Sequence, residues 1–313
     1  MTALAEGGNG VLEPSAGLTY ERLHCAGRDG WWRPVVGAIS LITLLLVVGP
    51  EVIGIGFAAW FAIRGQDVDA SLDRLGDTAH VTPSVLAYVN LTLAIAIPIT
   101  VLLTRYLHGM SPGWLVSVVG RFRWRWFAGC LGLAAVTLVA TLIVSSIVPA
   151  DSETDLGGQV HSFTATTLDF VLVIVVLTPL QAAGEEFLFR GYLMQACGGV
   201  ISSRIATVVV PAVLFALAHG TQNVPLFFDR LAFGLVAGIL VIVTGGLEAG
   251  IAMHVLNNFV AYGLALAFGS ISDSLNSTTA SWWNIPVTLT QSLLYLALTW
   301  WATRRQGIVR VTA

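Results

Sequence analysis

Lysine is absent from this 313-residue chain, and all fifteen of its basic residues are arginine. Charged residues make up only 11%, against about 25% in ordinary globular proteins. So sparse a charge complement excludes a conventional soluble domain. No polybasic or aromatic-basic patch points to nucleic acid. Cysteine is equally scarce: Cys25, Cys130 and Cys197 show no CxxC or paired spacing, which argues against a disulfide framework and a thiolate zinc site. The helix-borne HExxH zinc motif is also missing. Residues 1–33 lack the basic start and short apolar core of a signal peptide. No internal repeat is visible, which weakens an inverted-repeat transporter.

What the chain has instead is apolar length. Hydrophobic residues make up 56%, in blocks that reach the roughly 20 helical residues needed to cross a hydrocarbon core of about 30 Å. The fold class expected is all-α, a polytopic transmembrane helical bundle of about eight spans. The spans fall near 35–63, 85–104, 126–148, 168 to beyond 190, 205–219, 226–244, 247–268 and 285–303, with Pro50-Glu51 expected to kink the first. Four segments follow: 1–33 as a loose cytoplasmic tail and interfacial stretch, 34–165 as N-terminal transmembrane helices, 166–268 as a core of about four spans, and 269–313 as the final helix and tail. With the N-terminus inside, Arg22, Arg28, Arg33, Arg105, Arg121, Arg123, Arg125, Arg190, Arg204, Arg304, Arg305 and Arg310 are cytoplasmic, and only Arg64 and Arg74 are outside. The acidic group Asp151, Glu153 and Asp155 falls outside, and tryptophans cluster near the span ends as an aromatic belt.

Against this background the polar residues of the core stand out. Glu185 and Glu186 are adjacent inside an apolar span, with Arg190 following. A charge at a helix centre costs roughly 2.5–3.5 kcal/mol on insertion scales, so an intramembrane acid marks a functional site by default. Glu186 and Arg190 share a helix face with the acid N-terminal, the better order for a pair. Glu185 is rotated by about 100° and cannot use that partner equally well. The geometry therefore assigns Glu186–Arg190 to structure and Glu185 to chemistry. His219 closes the next span. Taking the turn near Gly199, Glu185 and His219 lie roughly 21 and 30 Å from it, so antiparallel packing allows them a similar depth. His254 and Asn258 project from one face of the seventh span, and Asn257 points elsewhere as a helix–helix hydrogen bonder. Polar groups of this kind also serve as packing glue, worth about 0.6 kcal/mol per contact; three helices offering them together argues for a use.

These residues resemble a known family. Glu-Glu-x-x-x-Arg at 185–190, Phe-x-x-x-His at 215–219 and His-x-x-x-Asn at 254–258, in that order, look like the CAAX-prenyl-protease and bacteriocin-processing (CPBP, or Abi) intramembrane proteases. The likeness covers roughly 170–265 and makes 166–268 a CPBP-like catalytic core. It implies hydrolysis of a peptide bond within the membrane. Glu185 would be the general base, His219 would hold and activate water, and His254 with Asn258 would stabilise the oxyanion. Glu186 and Arg190 would support the site. The partners implied are the lipid bilayer and a peptide or membrane-protein substrate, in a bacterial cell membrane with both chain termini cytoplasmic.

The chemistry is self-consistent on general grounds. A carboxylate in apolar surroundings can take a proton from water and return it to a leaving amine. Pro179 and Gly184 are expected to loosen the helix before the acid and admit water. No cofactor is required. Zinc stays open as an alternative, because Glu185, His219 and His254 could supply three ligands; Asn258 suits an oxyanion better than a metal. Other polar residues are expected to be peripheral. Asp229-Arg230 should snorkel to an interface, Glu248 should favour its helix dipole, and His24, His80, His108 and His161 should be solvated. Two other classes compete: a non-catalytic immunity or scaffold protein, and a proton-coupled small-solute transporter.

Overall fold

The computed structural model describes residues 6–7, 11–147 and 160–313. The acidic group Asp151, Glu153 and Asp155 and the last expected residue of the third span, Val148, lie outside the described residues. The architecture is a polytopic helical bundle of about eight spans. Its spanning helices are α1 Trp32–Ile63, α2 Pro83–Leu107, α3 Trp124–Ser145, α4 Ala165–Val200, α5 Arg204–Ala218, α6 Val224–Thr244, α7 Glu248–Phe268 and α8 Asn284–Arg305. Among the described residues six are long and apolar enough to cross a membrane; α5 is shorter, and α8 is comparably long but less apolar. Only 17% of the most apolar stretch of α1 is buried in protein. Ile39, Leu46 and Ile55 on its outer face are exposed, so lipid must be the partner that makes their exposure favourable.

Local sequence sets the helix ends. The Thr82 and Asn223 side chains accept backbone N–H groups of the first turns of α2 and α6, where proline follows within two residues. Thr164 and Thr167 form a reciprocal cap on α4. Gly245 ends α6 at φ 67°, a left-handed conformation that glycine adopts without steric cost. Pro50 interrupts α1 as expected. The helix widens into a π turn at Leu44–Val48 immediately before it, because the ring cannot donate a hydrogen bond to the preceding turn.

The helices are arranged around α4. Helix α2 runs along its first half, α7 packs on it and on α3, and α8 lies between α3 and α6. One core cluster joins Leu41 of α1, Cys130 of α3, Phe189 and Tyr192 of α4, Phe215 of α5, Ala252 of α7 and Tyr295 of α8. Helix α2 approaches α4 so closely at Gly184 that a β-carbon there would overlap the Leu93 carbonyl. Gly184 therefore permits a close helix crossing. The expectation that Pro179 and Gly184 loosen this stretch is corrected: α4 remains regular α-helix through Glu186 and changes to a π turn only at Phe187–Leu193.

Among the described residues of the N-terminal stretch, 11–31 are packed on the bundle rather than loose. Tyr20–Ala26 forms a 3-10 helix packed on the end of α4, with Tyr20 and Leu23 buried. Arg22 Nη1 donates to the Gly198 carbonyl at 2.6 Å, and Arg204 Nε donates to Glu21 at 2.8 Å. Two histidines expected in solvent are buried here as well. His24 and His108 stack with ring centroids 4.0 Å apart, and His108 Nε2 lies 2.8 Å from the Tyr192 hydroxyl. His80, by contrast, is exposed. Glu248 is fully buried. Its carboxylate accepts from Arg123 Nε at 2.8 Å and Nη2 at 2.6 Å, tying the start of α7 to the start of α3 rather than serving only the helix dipole.

The stacked pair makes docking of the N-terminal stretch pH-dependent. Burial pushes His24 well below its ordinary value and His108 down to about 4. His24 is neutral when docked, whereas on a released segment it titrates near 6.5, and release also strips the stacked ring from His108. Docking is therefore fully stable above pH 6.5 and weakens as pH falls from there, by up to about 1.4 kcal/mol per unit from His24. Amide hydrogen exchange of residues 20–26 should accelerate on going from pH 7 to pH 5 after correction for intrinsic rates. A His24→Leu, His108→Leu double variant should show no such acceleration.

Candidate active site

Helix α4 supplies the acids. Glu185 and Glu186 occupy its last α-helical turn, at the point where the ladder widens into the Phe187–Leu193 π turn. Such bulges often occur at functional sites because they re-aim successive side chains. Glu186 is fully buried and does more than pair with arginine. Its Oε1 accepts from Arg190 Nη1 at 3.0 Å and lies 2.9 Å from His254 Nδ1. A carboxylate paired with arginine accepts only, so the Nδ1 hydrogen resides on His254. The opposite ring nitrogen, Nε2, is then directed at Glu185 Oε2, 3.5 Å away. Arg190 is buried among aromatic rings, with its guanidinium carbon 4.4 Å from the Phe215 ring centroid and 5.9 Å from that of Phe233.

Glu185, His219, His254 and Asn258 line one cavity of about 390 Å³ between α2, α4, α5, α6 and α7. Glu186 and Arg190 sit behind its wall. His219 is held by the 2.8 Å contact of its Nδ1 with the Phe215 carbonyl. A carbonyl only accepts, which leaves His219 Nε2 without a hydrogen as a lone-pair acceptor. Asn258 Nδ2 lies 2.9 Å from Gln181 Oε1, and Gln181 Nε2 donates to Glu185 Oε1 at 2.7 Å. The Asn258 amide keeps a second N–H beyond that contact.

Several lining residues depart from the sequence expectations. Asn257 borders the cavity beside Asn258 instead of pointing away. Asp229 and Arg230, expected at an interface, line it too. Arg230 Nη1 donates to Gln222 at 2.8 Å and Nη2 to the Ser277 carbonyl at 3.1 Å, satisfying the guanidinium inside protein. Asn90 of α2, held by Thr178 at 3.2 Å, and Tyr262 of α7 add to the polar lining. Gln181 left one usable signal in the sequence, a polar residue one helical turn before Glu185 on the same face.

The donor set does not converge as a zinc site would require. Glu186 occupies one nitrogen of His254, the second faces Glu185, and His219 contributes one nitrogen. Among the described residues no group of three or more histidines, cysteines and acids is placed to hold a metal ion. The arrangement instead presents a carboxylate and an imidazole acceptor to the same cavity as the Asn258 amide and the His254 imidazole.

Residues 167–260 match the family described as type II CAAX prenyl endopeptidase Rce1-like. That stretch contains all three motifs, and with them Glu185, Glu186, Arg190, His219, His254 and Asn258. The match supports the protease class, and with the apolar helices it supports a multi-pass membrane protein. The chain is also similar to the uncharacterized protein YyaK of Bacillus subtilis (strain 168), with 24% identity over 245 residues that cover 72% of this chain and 78% of that protein. No solved structure matches the chain.

Because Arg190 is buried and faces Glu186, Arg190→Leu should leave an unpaired acid in the bundle. The expected loss is about 3–5 kcal/mol, read as a lowered Tm of the purified protein in detergent.

Proposed function

We propose that the chain is an intramembrane endopeptidase whose catalytic core is residues 166–268. The observation that carries this reading is the meeting of Glu185, His219, His254 and Asn258 on one cavity, from three helices that are distant in sequence. Within an apolar bundle such a cavity concentrates the groups that hydrolysis needs and excludes bulk solvent.

The cycle follows from the hydrogen-bond roles. A water in the cavity is held by His219 Nε2 and gives a proton to Glu185 Oε2 as its oxygen attacks the carbonyl carbon of the scissile bond. Negative charge then gathers on the carbonyl oxygen, opposite the spare N–H of Asn258 and Nε2 of His254. For His254 to donate from Nε2 while Nδ1 donates to Glu186, it must act as the imidazolium. One such donor is worth about 2.7–4 kcal/mol in comparable sites. Collapse of the intermediate breaks the C–N bond, and Glu185 passes its proton to the leaving amine. Arg190 holds Glu186 in place throughout. The substrate is a peptide segment at the membrane, and the CAAX endopeptidase match nominates C-terminal C-a-a-X sequences first. The setting proposed is a cell membrane with both chain termini cytoplasmic.

The test uses purified full-length protein in proteoliposomes with quenched fluorescent C-a-a-X peptides, prenylated and unprenylated. Wild type should cut at least one peptide, and Glu185→Gln should cut neither while retaining its Tm and insertion. Activity should survive a chelator. Intact peptides with wild type, or full activity in Glu185→Gln, would overturn the reading. Proton-dependent solute uptake without a cleaved product would replace it with transport.

A further inference from the structure

Gln181 lies buried between the two halves of the site, and no motif of the sequence accounts for it. It sits on α4 one turn before Glu185 and is 6% exposed. Its Nε2 donates to Glu185 Oε1 at 2.7 Å, and its Oε1 accepts from Asn258 Nδ2 at 2.9 Å. The amide orientation follows from the chemistry. An ionised carboxylate only accepts, so the NH2 group must face Glu185, which leaves the oxygen for the Asn258 donor.

We infer that Gln181 is a positioning residue of this site, clamping the Glu185 carboxylate by one oxygen and taking its own orientation from Asn258, so that the other oxygen faces the water. The inference rests on the reading of Glu185 as the base. Its physical content is a division of labour between the two carboxylate oxygens. Oε1 is occupied by the amide. Oε2 lies 3.5 Å from His254 Nε2, outside normal hydrogen-bond range, and so is free to accept a proton. Without the clamp the carboxylate can rotate about its terminal torsion, which is broad and poorly restrained, and turn its free oxygen from the cavity. A displacement of about 1 Å can cost 10²-fold in rate. The same link gives Asn258 a second duty: it joins α7 to α4 at the catalytic depth, and its remaining N–H is aimed by the bond that Gln181 accepts.

A packing role for Gln181 would make different predictions, and two substitutions separate them in the proteoliposome assay, using the C-a-a-X peptide that wild type cuts fastest. Gln181→Met keeps length and volume but cannot donate. Its kcat should fall about 10- to 100-fold with KM within about twofold of wild type. Gln181→Glu keeps the acceptor for Asn258, and donates to Glu185 only when protonated. Its activity should therefore peak about one pH unit to the acid side of wild type. The charged and titratable groups facing Glu185 are His254 and Tyr262 from α7, His219 from the end of α5, Asp229 and Arg230 from α6, and Glu186 beside it; all are common to both proteins, so the displacement reports the substituted side chain. Unchanged kcat in Gln181→Met, or a loss confined to the amount of inserted protein, would overturn the inference. So would an unshifted Gln181→Glu profile. If Glu185→Gln is inactive in the same assay, the endopeptidase reading survives that failure. If Glu185→Gln is active, or wild type cuts nothing, both fall.

Discussion

The buried Glu186 carboxylate joins a guanidinium from its own helix to an imidazole supplied by α7, and the remaining geometry of the site follows from that junction. A charge in this position is tolerable only when it is paired and hydrogen-bonded. Arg190 supplies the compensating charge, and His254 supplies the directional bond. Fixing Nδ1 of His254 fixes the ring, and fixing the ring aims Nε2 at Glu185. Glu186, sealed behind the cavity wall, thus determines which way the imidazole faces the adjacent acid. Phe215 and Phe233 close over the guanidinium and shut water away from the pair, which strengthens each of its contacts.

A second layer of control comes from neutral amides. Glu185 has no arginine of its own. It is held by the Gln181 side chain, which in turn is held by Asn258. Amides suit this task because they restrain a carboxylate without cancelling its charge, and they bridge helices through a donor and an acceptor at once. The two acids, adjacent in sequence, therefore have opposite environments. One is locked among charge and aromatic rings; the other is tethered at one oxygen and open at the second.

Much of this was legible in the residues, and the part that was not has identifiable causes. Apolar blocks reveal helices because length and hydropathy are local properties, so the spans came within a few residues of their observed limits. Spacing by four placed Glu186 with Arg190 and His254 with Asn258, since both pairs are set by helical pitch. Contacts between helices left no such trace. Asn257, Asp229 and Arg230 were assigned to other surroundings because helix rotation decides what a face meets, and rotation is set by packing. Gly184 looked like a point of weakness and is a point of close approach for the same reason. His24 and His108, 84 residues apart, are each unremarkable in sequence and become a buried stack only when the 3-10 helix docks under the bundle.

The order in which the chain leaves the ribosome gives the Glu186 junction another meaning. Residue 254 is made 68 positions after residue 186, so α4 must settle in the bilayer before its imidazole partner exists. Arg190 and Gln181, each four residues from an acid, are already present on that same rod. Glu185 and Glu186 therefore each carry a provisional companion during translation, and the later arrival of α7 replaces a tolerable insertion intermediate with the completed junction.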